Sequence, residues 1–431
     1  MQQIIVNPAE SIKGQISVPG DKSISHRAVM IGSLSEGVTR IGNFLMGEDC
    51  LNTLKAFRAM GIQAEISCDG AVMIYGNGLG GLREPEDVID IGNSGTSIRI
   101  MSGVLAGQPF YSVITGDSSI RRRPMGRITE PLKRMGAQIF GRGSGDLAPL
   151  TIIGGDLKPI YYKTPVASAQ VKSSILMAGL FADGYTRIAE PAQSRDHTER
   201  MLSFFGAEVQ SYGLIHQLKG LPRLKGREIT VPGDISSAAY LLVAAAITPG
   251  SEILVKDVGI NPTRAGILEA LKQMGAKIQI ENRQEVSGEP IADIRIRHSK
   301  LYGTTFKGDI IVRMIDEIPL VAVAATQAEG ETVIRDAKEL RVKETDRIAA
   351  MTQELRRMGC EVQPLEDGMV IAGNQTLRGA ECESHGDHRI AMSVAVAALI
   401  ADGETMISDI DCVETSFPGF WELLDSARSS G

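Results

Sequence analysis

The sequence has little of what marks a metal or redox site. It contains no C-x-x-C pair and no H-x-x-x-H or H-E-x-x-H motif. Its five cysteines are odd in number, which argues against a disulfide scaffold and is typical of a protein in a reducing compartment. The Gly-rich stretch GNGLGG at 76–81 follows a predicted hairpin and lacks the Lys-Ser/Thr of a phosphate-binding loop, so we interpret it as a turn. We therefore expect no metal ion, no cofactor and a cytoplasmic location.

Long apolar runs and an excess of positive charge are missing as well. No uninterrupted apolar stretch reaches the length of a membrane span, and the first residues, MQQIIVNPAE, lack the regions of a signal peptide. A net charge of −7 argues against a general nucleic-acid role. The chain is 43% hydrophobic and 23% charged, as in a globular protein, and its 431 residues exceed one ordinary core. This length predicts two domains.

One pattern occurs six times along the chain. In each unit a helix of small apolar residues ends in a glycine and leads into a short β-like run, at Gly37, Gly107, Gly184, Gly250, Gly330 and Gly403. Five units continue with a polar helix that closes on a second glycine, and the sixth unit is cut short. Hairpin signals at Asp69-Gly70 and Asp367-Gly368 complete the pattern. The repeat predicts six βαβαββ units, with the small-residue helices buried.

The tetrapeptide VPGD marks the expected domain junctions. It occurs at 18–21 and 231–234, about half the chain apart, each time before a small-residue helix. We infer two pseudo-equivalent domains of three units each, with hinges at the two VPGD segments. Residues 1–19 and 233–431 would form the first domain, and residues 20–232 the second.

Polar residues cluster at the predicted start of all six buried helices. Helix capping accounts for some of them, at Asp21, Ser23, Asn93 and Asp234. It does not account for cations that oppose the helix dipole, at Lys22, Arg27, Arg99 and Arg389. We expect other cations to border a cleft between the two predicted domains, at Arg121, Arg122, Arg123, Arg195, His197, Lys343 and Arg347. The pattern indicates a ligand with several negative charges, bound at the helix starts.

Seven motifs, in order along the chain, resemble those of the 5-enolpyruvylshikimate-3-phosphate (EPSP) synthases: GDKSISHRA, GNSGTSIR, RRRPMGR, SAQVKSSILMAGL, DEIPLVAVAA, LRVKETDR and GDHRIAMS. SAQVK, RDHTE and NPTR are similar to the bacterial class II subgroup. The resemblance implies an α/β fold, a two-domain inverse α/β barrel with three βαβαββ units per domain. It also implies transfer of the enolpyruvyl (1-carboxyvinyl) group of phosphoenolpyruvate to the 5-hydroxyl of shikimate 3-phosphate, with release of phosphate, in the shikimate pathway to chorismate and aromatic amino acids.

The resemblance implies roles for individual residues. Shikimate 3-phosphate would be bound by Lys22, Ser23, Arg27, Ser168, Ala169, Gln170, Ser194, Arg195, Asp316 and Lys343. Phosphoenolpyruvate would be bound by Lys22, Asn93, Gly95, Arg123, Gln170, Arg347 and Arg389. Three positions depart from the family pattern, which has Ser, Asn and Lys where this chain has Ala169, Glu339 and Thr415.

The implied reaction requires proton transfers at two atoms. Asp316 is the expected base at the attacking hydroxyl, and Glu344 and Lys22 are candidates for the acid and proton shuttle at the enolpyruvyl carbon. The roles of acid and base could be exchanged or shared between these residues. Asp316 and Glu317 could instead cap the start of a helix.

The sequence leaves three other functions as alternatives. One is the cell-wall enolpyruvyl transfer to a UDP-sugar, but the stretch 115–124 lacks the reactive cysteine of that family's mobile loop. The second is RNA 3′-phosphate cyclisation, which the acidic charge disfavours. The third is a repeat scaffold that binds an anionic metabolite without turnover. We expect small-molecule substrates, glyphosate as a candidate inhibitor, no nucleic-acid or membrane partner, and a monomer.

Overall fold

The structure is a computed structural model that describes residues 2–429, and it divides into two compact units. The first unit contains the residues up to Pro19, Pro232–Gln284 and the described residues from Pro290 onward. The second unit contains Gly20–Val231 and Glu285–Glu289. The sequence placed the boundaries at 19/20 and 232/233 and contained no signal that residues 285–289 would separate from their neighbours.

Residues 285–289 belong to the second unit because they bond to it. They comprise the end of the strand Lys277–Val286, the turn at Ser287 and Gly288, and the first residue of the strand Glu289–Arg297. Three contacts hold them: Thr230 N donates to Ser287 Oγ at 3.0 Å, Arg200 Nη1 donates to Gly288 O at 3.3 Å, and His197 Nδ1 lies 2.8 Å from Glu289 Oε1.

The second unit repeats one sheet three times. Each sheet has four strands, of which the first two are parallel and the others are joined antiparallel. The strands, in sheet order, are Glu228–Thr230, Glu36–Gly42, Val72–Asn77 and Gln63–Ile66; Ile89–Asp90, Tyr111–Thr115, Leu147–Ile153 and Gln138–Gly141; Tyr161–Lys163, Tyr185–Ala189, Ile215–Lys219 and Val209–Tyr212.

The first unit contains a similar sheet twice, once extended by a fifth strand, and completes the third differently. Its sheets contain, in order, Lys277–Val286, Glu289–Arg297, Glu252–Gly259, Ser11–Ser17 and Arg428–Ser429; Thr305–Phe306, Thr332–Ile334, Gly368–Ile371 and Val362–Leu365; Gln3–Val6, Thr405–Ser408 and Glu381–Glu383, beside a pair formed by Leu301–Tyr302 and Ala328–Glu329. In the shortened sixth repeat the chain's own first strand supplies the antiparallel partner, with Ile4 opposite Ile407.

Six helices form the centre of the two cores, as their small apolar residues predict. They are Lys22–Ser33, Gly95–Ala106 and Ala169–Gly179 in the second unit, and Ile235–Ile247, Ile318–Thr326 and His388–Ala398 in the first. Helices with one polar side follow them: Glu48–Ala59, Gly126–Met135, His197–Phe204, Gly266–Gln273, Arg347–Arg357 and Phe420–Ala427. Shorter helical segments are Ile120–Arg122, Arg142–Gly145, Asp309–Arg313, Lys338–Val342 and Ile410–Thr415. In the part of the chain that the structure describes, no helix is long and apolar enough to cross a membrane.

The helix ends confirm some of the predicted caps and correct others. Asp21 and Asp234 cap their helices by accepting from Ile24 N at 2.9 Å and Ser236 N at 2.7 Å. Ser23 lies inside its helix, and Ser94 rather than Asn93 caps the helix Gly95–Ala106. The five second-helix glycines, at 61, 136, 206, 275 and 359, have φ between 84° and 117°, which confirms the left-handed C-caps.

A buried glutamate gives the first unit a pH-dependent contact. Glu354 is fully buried, and His385 Nε2 lies 2.7 Å from its Oε1. This hydrogen bond raises the pKa of His385, although partial burial of the imidazole opposes the shift. The protonated imidazole therefore stabilises the fold fully below the usual histidine pKa of about 6.5. The stabilisation is lost as the pH rises through the raised pKa of the folded state.

We predict that His385→Asn lowers Tm most at a pH of about 5.5, below the usual histidine pKa, and least above the raised pKa. Asparagine is chosen because residue 385 has a φ of 54°, which asparagine tolerates. The measurement is a thermal melt of both proteins across this pH range. The exposed His298, changed to Asn, is the control. A Tm difference that stays constant with pH would contradict the predicted role.

Candidate active site

Lys22 opens the first buried helix and has a carboxylate partner that the sequence did not reveal. Its ammonium group forms an ion pair with Asp49, in the first turn of Glu48–Ala59, and the Lys22 side chain is 19% exposed. The aspartate offsets the unfavourable meeting of a cation with the positive end of the helix dipole. Lys22 is thus held at a helix start with part of its surface open to a ligand.

Arg27 is a buried guanidinium anchored on three sides. Nε donates to Thr198 Oγ1 at 2.6 Å, Nη2 to Ser173 Oγ at 2.9 Å, and Nη1 to the Ser23 carbonyl at 2.8 Å. Burial lowers the pKa of Arg27 to about 10, and the charge of Glu199 opposes this shift. Three of the five N–H groups of the guanidinium are used in these bonds, so two are left for an anion at a preset angle.

Gly95 lets two guanidinium groups approach a helix start. It is the first residue of Gly95–Ala106, and a Cβ atom here would lie 2.7 Å from Arg123 Nη1 and 3.0 Å from Arg99 Nη1. Of the predicted arginines in RRRP, only Arg123 is buried, whereas Arg121 and Arg122 are exposed. The arrangement of a helix N-terminus and two arginines is suited to a carboxylate or a phosphate.

Gln170 and Asn93 join this group through side-chain bonds. Arg99 Nη1 donates to Gln170 Oε1 at 2.7 Å, and Gln170 Nε2 donates to Thr96 Oγ1 at 3.1 Å. Asn93 Nδ2 donates to Asp117 Oδ2 at 2.7 Å, and Ser94, one residue closer to the helix, holds the N-cap position. The structure thus connects Asn93, Gln170 and Arg99 to fixed partners around Gly95.

The other predicted residues of the second unit lie at the start of Ala169–Gly179 and before His197–Phe204. Ser168 caps the first of these helices by accepting from Val171 N at 3.5 Å, and Ala169 is its first residue. Ser194 is 2% exposed and donates its hydroxyl hydrogen to Glu190. Arg195 is partly exposed.

The first unit gathers the remaining predicted residues around Arg347. This arginine is fully buried and donates from Nε to Asp387 Oδ2 at 2.7 Å, from Nη2 to Glu344 Oε2 at 2.6 Å and from Nη1 to Asp316 Oδ1 at 3.3 Å. Lys343 Nζ lies 3.4 Å from the same oxygen of Asp316. Burial alone would lower the pKa of Arg347, but the charges of Asp387 and Glu344 outweigh it and hold the pKa above its usual value.

Glu317 takes a role that the sequence did not predict. It occupies the N-cap position of Ile318–Thr326 without capping it, so the capping interpretation is wrong for this residue. Its carboxylate accepts from Arg264 Nη1 at 3.0 Å to each oxygen and from the Ser236 hydroxyl, and it lies 3.6 Å from Arg389 Nη1. Burial opposes protonation of Arg389, but the charges of nearby carboxylates, Asp316 first, raise its pKa above the usual range.

The expectation that the helix-start cations depend on an external anion is therefore corrected. Two of these four cations have carboxylate partners within their own units, Asp49 for Lys22 and Glu317 for Arg389. Arg347, predicted among the other cations, is likewise paired, with Asp387. The sequence analysis missed all three partners. The available signal was an acidic residue in or next to a helix start, as in GDHRIAMS and MIDEIPLV. Of the departures from the family pattern, Thr415 donates its hydroxyl to Cys412 O at 2.7 Å, and Glu339 lies in Lys338–Val342.

Comparison with known proteins decides the family. The family model for EPSP synthase (3-phosphoshikimate 1-carboxyvinyltransferase) matches residues 6–424. The chain belongs to the EPSP synthase family. The 3-phosphoshikimate 1-carboxyvinyltransferase of Desulforamulus reducens is 58% identical over 422 residues, which cover 98% of both chains. That of Pelotomaculum thermopropionicum is 57% identical over 421 residues, 97% of both.

A solved structure agrees with this assignment. The EPSP synthase of Acinetobacter baumannii matches with a TM-score of 0.89 and 49% identity, over 99% of this chain and 98% of that one. The family, the two-domain α/β fold and the transferase activity of the shikimate pathway that the sequence predicted are confirmed. The UDP-sugar, RNA-cyclase and non-enzyme alternatives are set aside.

We predict that Gly95→Ala raises KM for phosphoenolpyruvate about tenfold, a loss of about 1.4 kcal/mol of binding free energy. The new methyl group would displace the guanidinium of Arg123, whose Nη1 would lie 2.7 Å from the Cβ atom. Steady-state kinetics with each substrate varied in turn provides the measurement. Gly80→Ala, where a Cβ has no neighbour within 4 Å, is the matched control. An unchanged KM for phosphoenolpyruvate would remove Gly95 from this site.

Proposed function

We propose that the chain transfers the 1-carboxyvinyl group of phosphoenolpyruvate to the 5-hydroxyl of shikimate 3-phosphate and releases phosphate. The main observation in support is the set of cations held at or near helix starts, with Lys22 and Arg27 in the second unit and Arg347 and Arg389 in the first. Both substrates are multiply charged anions, which such positions are suited to bind.

Shikimate 3-phosphate is proposed to bind to Lys22, Ser23, Arg27, Ser168, Ala169, Gln170, Ser194, Arg195, Asp316 and Lys343. The anchoring of Arg27 supports the proposal, because a guanidinium with only two remaining N–H groups presents one side to a carboxylate. Ala169 has no hydroxyl group, so the phosphate group of the substrate would be bound by the other residues of this set.

Phosphoenolpyruvate is proposed to bind to Lys22, Asn93, Gly95, Arg123, Gln170, Arg347 and Arg389. The approach of Arg123 and Arg99 to the helix start at Gly95 supports the first part of this set. Glyphosate, an anion with a carboxylate and a phosphonate, is proposed to occupy the same positions. The absence of a Cβ atom at residue 95 favours its binding.

The proposed mechanism is an addition followed by an elimination. The 5-hydroxyl loses its proton to a base and attacks C2 of phosphoenolpyruvate while C3 gains a proton. The resulting tetrahedral intermediate then loses a proton from C3 and expels phosphate from C2, which restores the double bond. The base is proposed to be Asp316, whose carboxylate lies between Lys343 and Arg347.

Glu344 is proposed as the acid at C3, with Lys22 as the second candidate. In the structure Glu344 accepts from Arg347 Nη2 at 2.6 Å. A substrate carboxylate that binds Arg347 competes for this cation and adds a negative charge beside Glu344. Both effects favour protonation of Glu344, so the binding of phosphoenolpyruvate itself would prepare the acid.

The protein is proposed to act as a monomer in the cytoplasm. All five cysteines are free, and Cys50, Cys360 and Cys382 are buried, which is typical of a reducing compartment. The residues proposed for both substrates belong to one chain. Sedimentation equilibrium would test the oligomeric state.

We predict that Asp316→Asn lowers kcat by about 10²–10⁴-fold, the usual contribution of a general base. The dissociation constant of shikimate 3-phosphate, measured by calorimetry, should stay nearly unchanged, because the amide keeps the size of the side chain. Asp309→Asn is the control, since Asp309 is exposed and begins a neighbouring short helix. Normal turnover of the Asp316 variant would exclude it from the mechanism.

The acceptor is tested by phosphate release. We expect release from phosphoenolpyruvate with shikimate 3-phosphate and none with UDP-N-acetylglucosamine. Glyphosate added to the same assay should raise the apparent KM for phosphoenolpyruvate without lowering the rate at saturation. Release with UDP-N-acetylglucosamine alone, or binding of shikimate 3-phosphate without release, would overturn the proposed reaction.

A further inference from the structure

A fully buried lysine lies close to residues that are proposed to bind shikimate 3-phosphate. Lys172 sits in the first turn of Ala169–Gly179, and none of its side chain is exposed. A cation in the first turn opposes the helix dipole, and a buried ammonium group has lost its hydration. The position is therefore stable only if anionic groups compensate the charge.

Two buried carboxylates provide this compensation. Lys172 Nζ lies 2.7 Å from Glu190 Oε2 and 2.7 Å from Glu199 Oε1, and His216 Nε2 lies 3.2 Å from the same Glu190 oxygen. Burial opposes the charged form of both partners. Even so, the two carboxylates raise the pKa of Lys172, while bonds from His216 and Lys172 lower the pKa of Glu190. Both shifts favour the ionised form of the pair.

The cluster joins the elements that carry the proposed ligands. Glu190 directly follows the strand Tyr185–Ala189, and Glu199 is in the first turn of His197–Phe204. The segment that connects this strand to this helix, residues 190–196, contains Ser194 and Arg195. Lys172 thus fixes both ends of this segment to the helix that begins after Ser168.

Glu190 also bonds directly to Ser194. Its Oε1 accepts the hydroxyl hydrogen of Ser194 while its Oε2 accepts from Lys172, and Lys172 Nζ is 3.5 Å from the Ser194 carbonyl. Each carboxylate oxygen therefore has a separate partner. Next to Glu199, the hydroxyl of Thr198 accepts from Arg27 Nε at 2.6 Å, so the same cluster steadies a third proposed ligand residue.

We infer that Lys172 and Glu190 are positioning residues that set the affinity for shikimate 3-phosphate without touching it. This inference rests on the proposed roles of Ser194 and Arg195. Glu190 accepts the only hydroxyl hydrogen of Ser194 and so fixes the chain at residue 194, beside Arg195, and Lys172 offsets the negative charge that this carboxylate would otherwise place next to a bound phosphate. The affinity for phosphoenolpyruvate and the chemical step do not depend on this cluster.

The test variant is Glu190→Gln. The amide has one oxygen, so residue 190 can accept from Lys172 or from Ser194 but not from both, while Lys172 keeps its ion pair with Glu199. We expect the KM and the calorimetric Kd for shikimate 3-phosphate to rise about tenfold, as for the loss of one hydrogen bond to a charged group. The KM for phosphoenolpyruvate and kcat should stay within about twofold of the wild type, since neither depends on a hydrogen bond of residue 190.

Asp293→Asn is the matched control. Asp293 is 2% exposed, forms an ion pair with Lys256, and also accepts on both oxygens, from Asn282 Nδ2 at 2.7 Å and Asp257 N at 3.0 Å. It belongs to the first unit and to none of the proposed ligand segments. This variant should lower Tm without changing the Kd for shikimate 3-phosphate.

Ser194→Ala and Arg195→Ala separate the inference from the function on which it rests. If these variants bind shikimate 3-phosphate as tightly as the wild type does, the proposed ligand role of the segment is wrong and the inference falls with it. If they weaken binding while Glu190→Gln lowers only Tm, the ligand role stands and the positioning role is overturned. An equal loss of affinity in Glu190→Gln and Asp293→Asn would also overturn it, because general loosening would then explain both.

Discussion

The burial of cations at the starts of apolar helices is the constraint on which this molecule depends. A lysine or arginine at such a place meets the positive end of the helix dipole and has little water around it. The structure resolves the conflict with carboxylates from neighbouring elements, as in the pairs of Lys22 with Asp49 and Arg389 with Glu317. These pairs hold the cations without a ligand, so the site proposed for the anionic substrates is preorganised.

The need to compensate buried cations also explains why the first unit contains so many carboxylates near its arginines and lysines. Arg347 alone bonds to Asp316, Glu344 and Asp387. Such an arrangement has two uses for an enzyme that needs both a base and an acid. In the proposed mechanism it stabilises guanidinium groups for ligand binding, and it places carboxylates whose proton affinity changes when a substrate carboxylate competes for the same cation. Under this proposal, binding and proton transfer are linked through one arginine.

The features that sequence reasoning could recover are the local and periodic ones. Helix starts, glycine C-caps and the hairpin at Asp69-Gly70 depend on residues a few positions apart, and the structure has them where they were predicted. The partners of the buried charges could not be recovered, because Arg27 and Thr198 are 171 positions apart and Arg264 and Glu317 are 53 apart. The sequence could not predict that residues 285–289 belong to the second unit, for the same reason.

The antiparallel pairing of Gln3–Val6 with Thr405–Ser408 has a consequence for synthesis on the ribosome. The sheet that contains both strands and Glu381–Glu383 cannot be completed until residue 408 has been made. The second unit needs nothing beyond residue 289 and can fold while the rest is translated. Gln3–Val6 is therefore synthesised long before the strand with which it pairs.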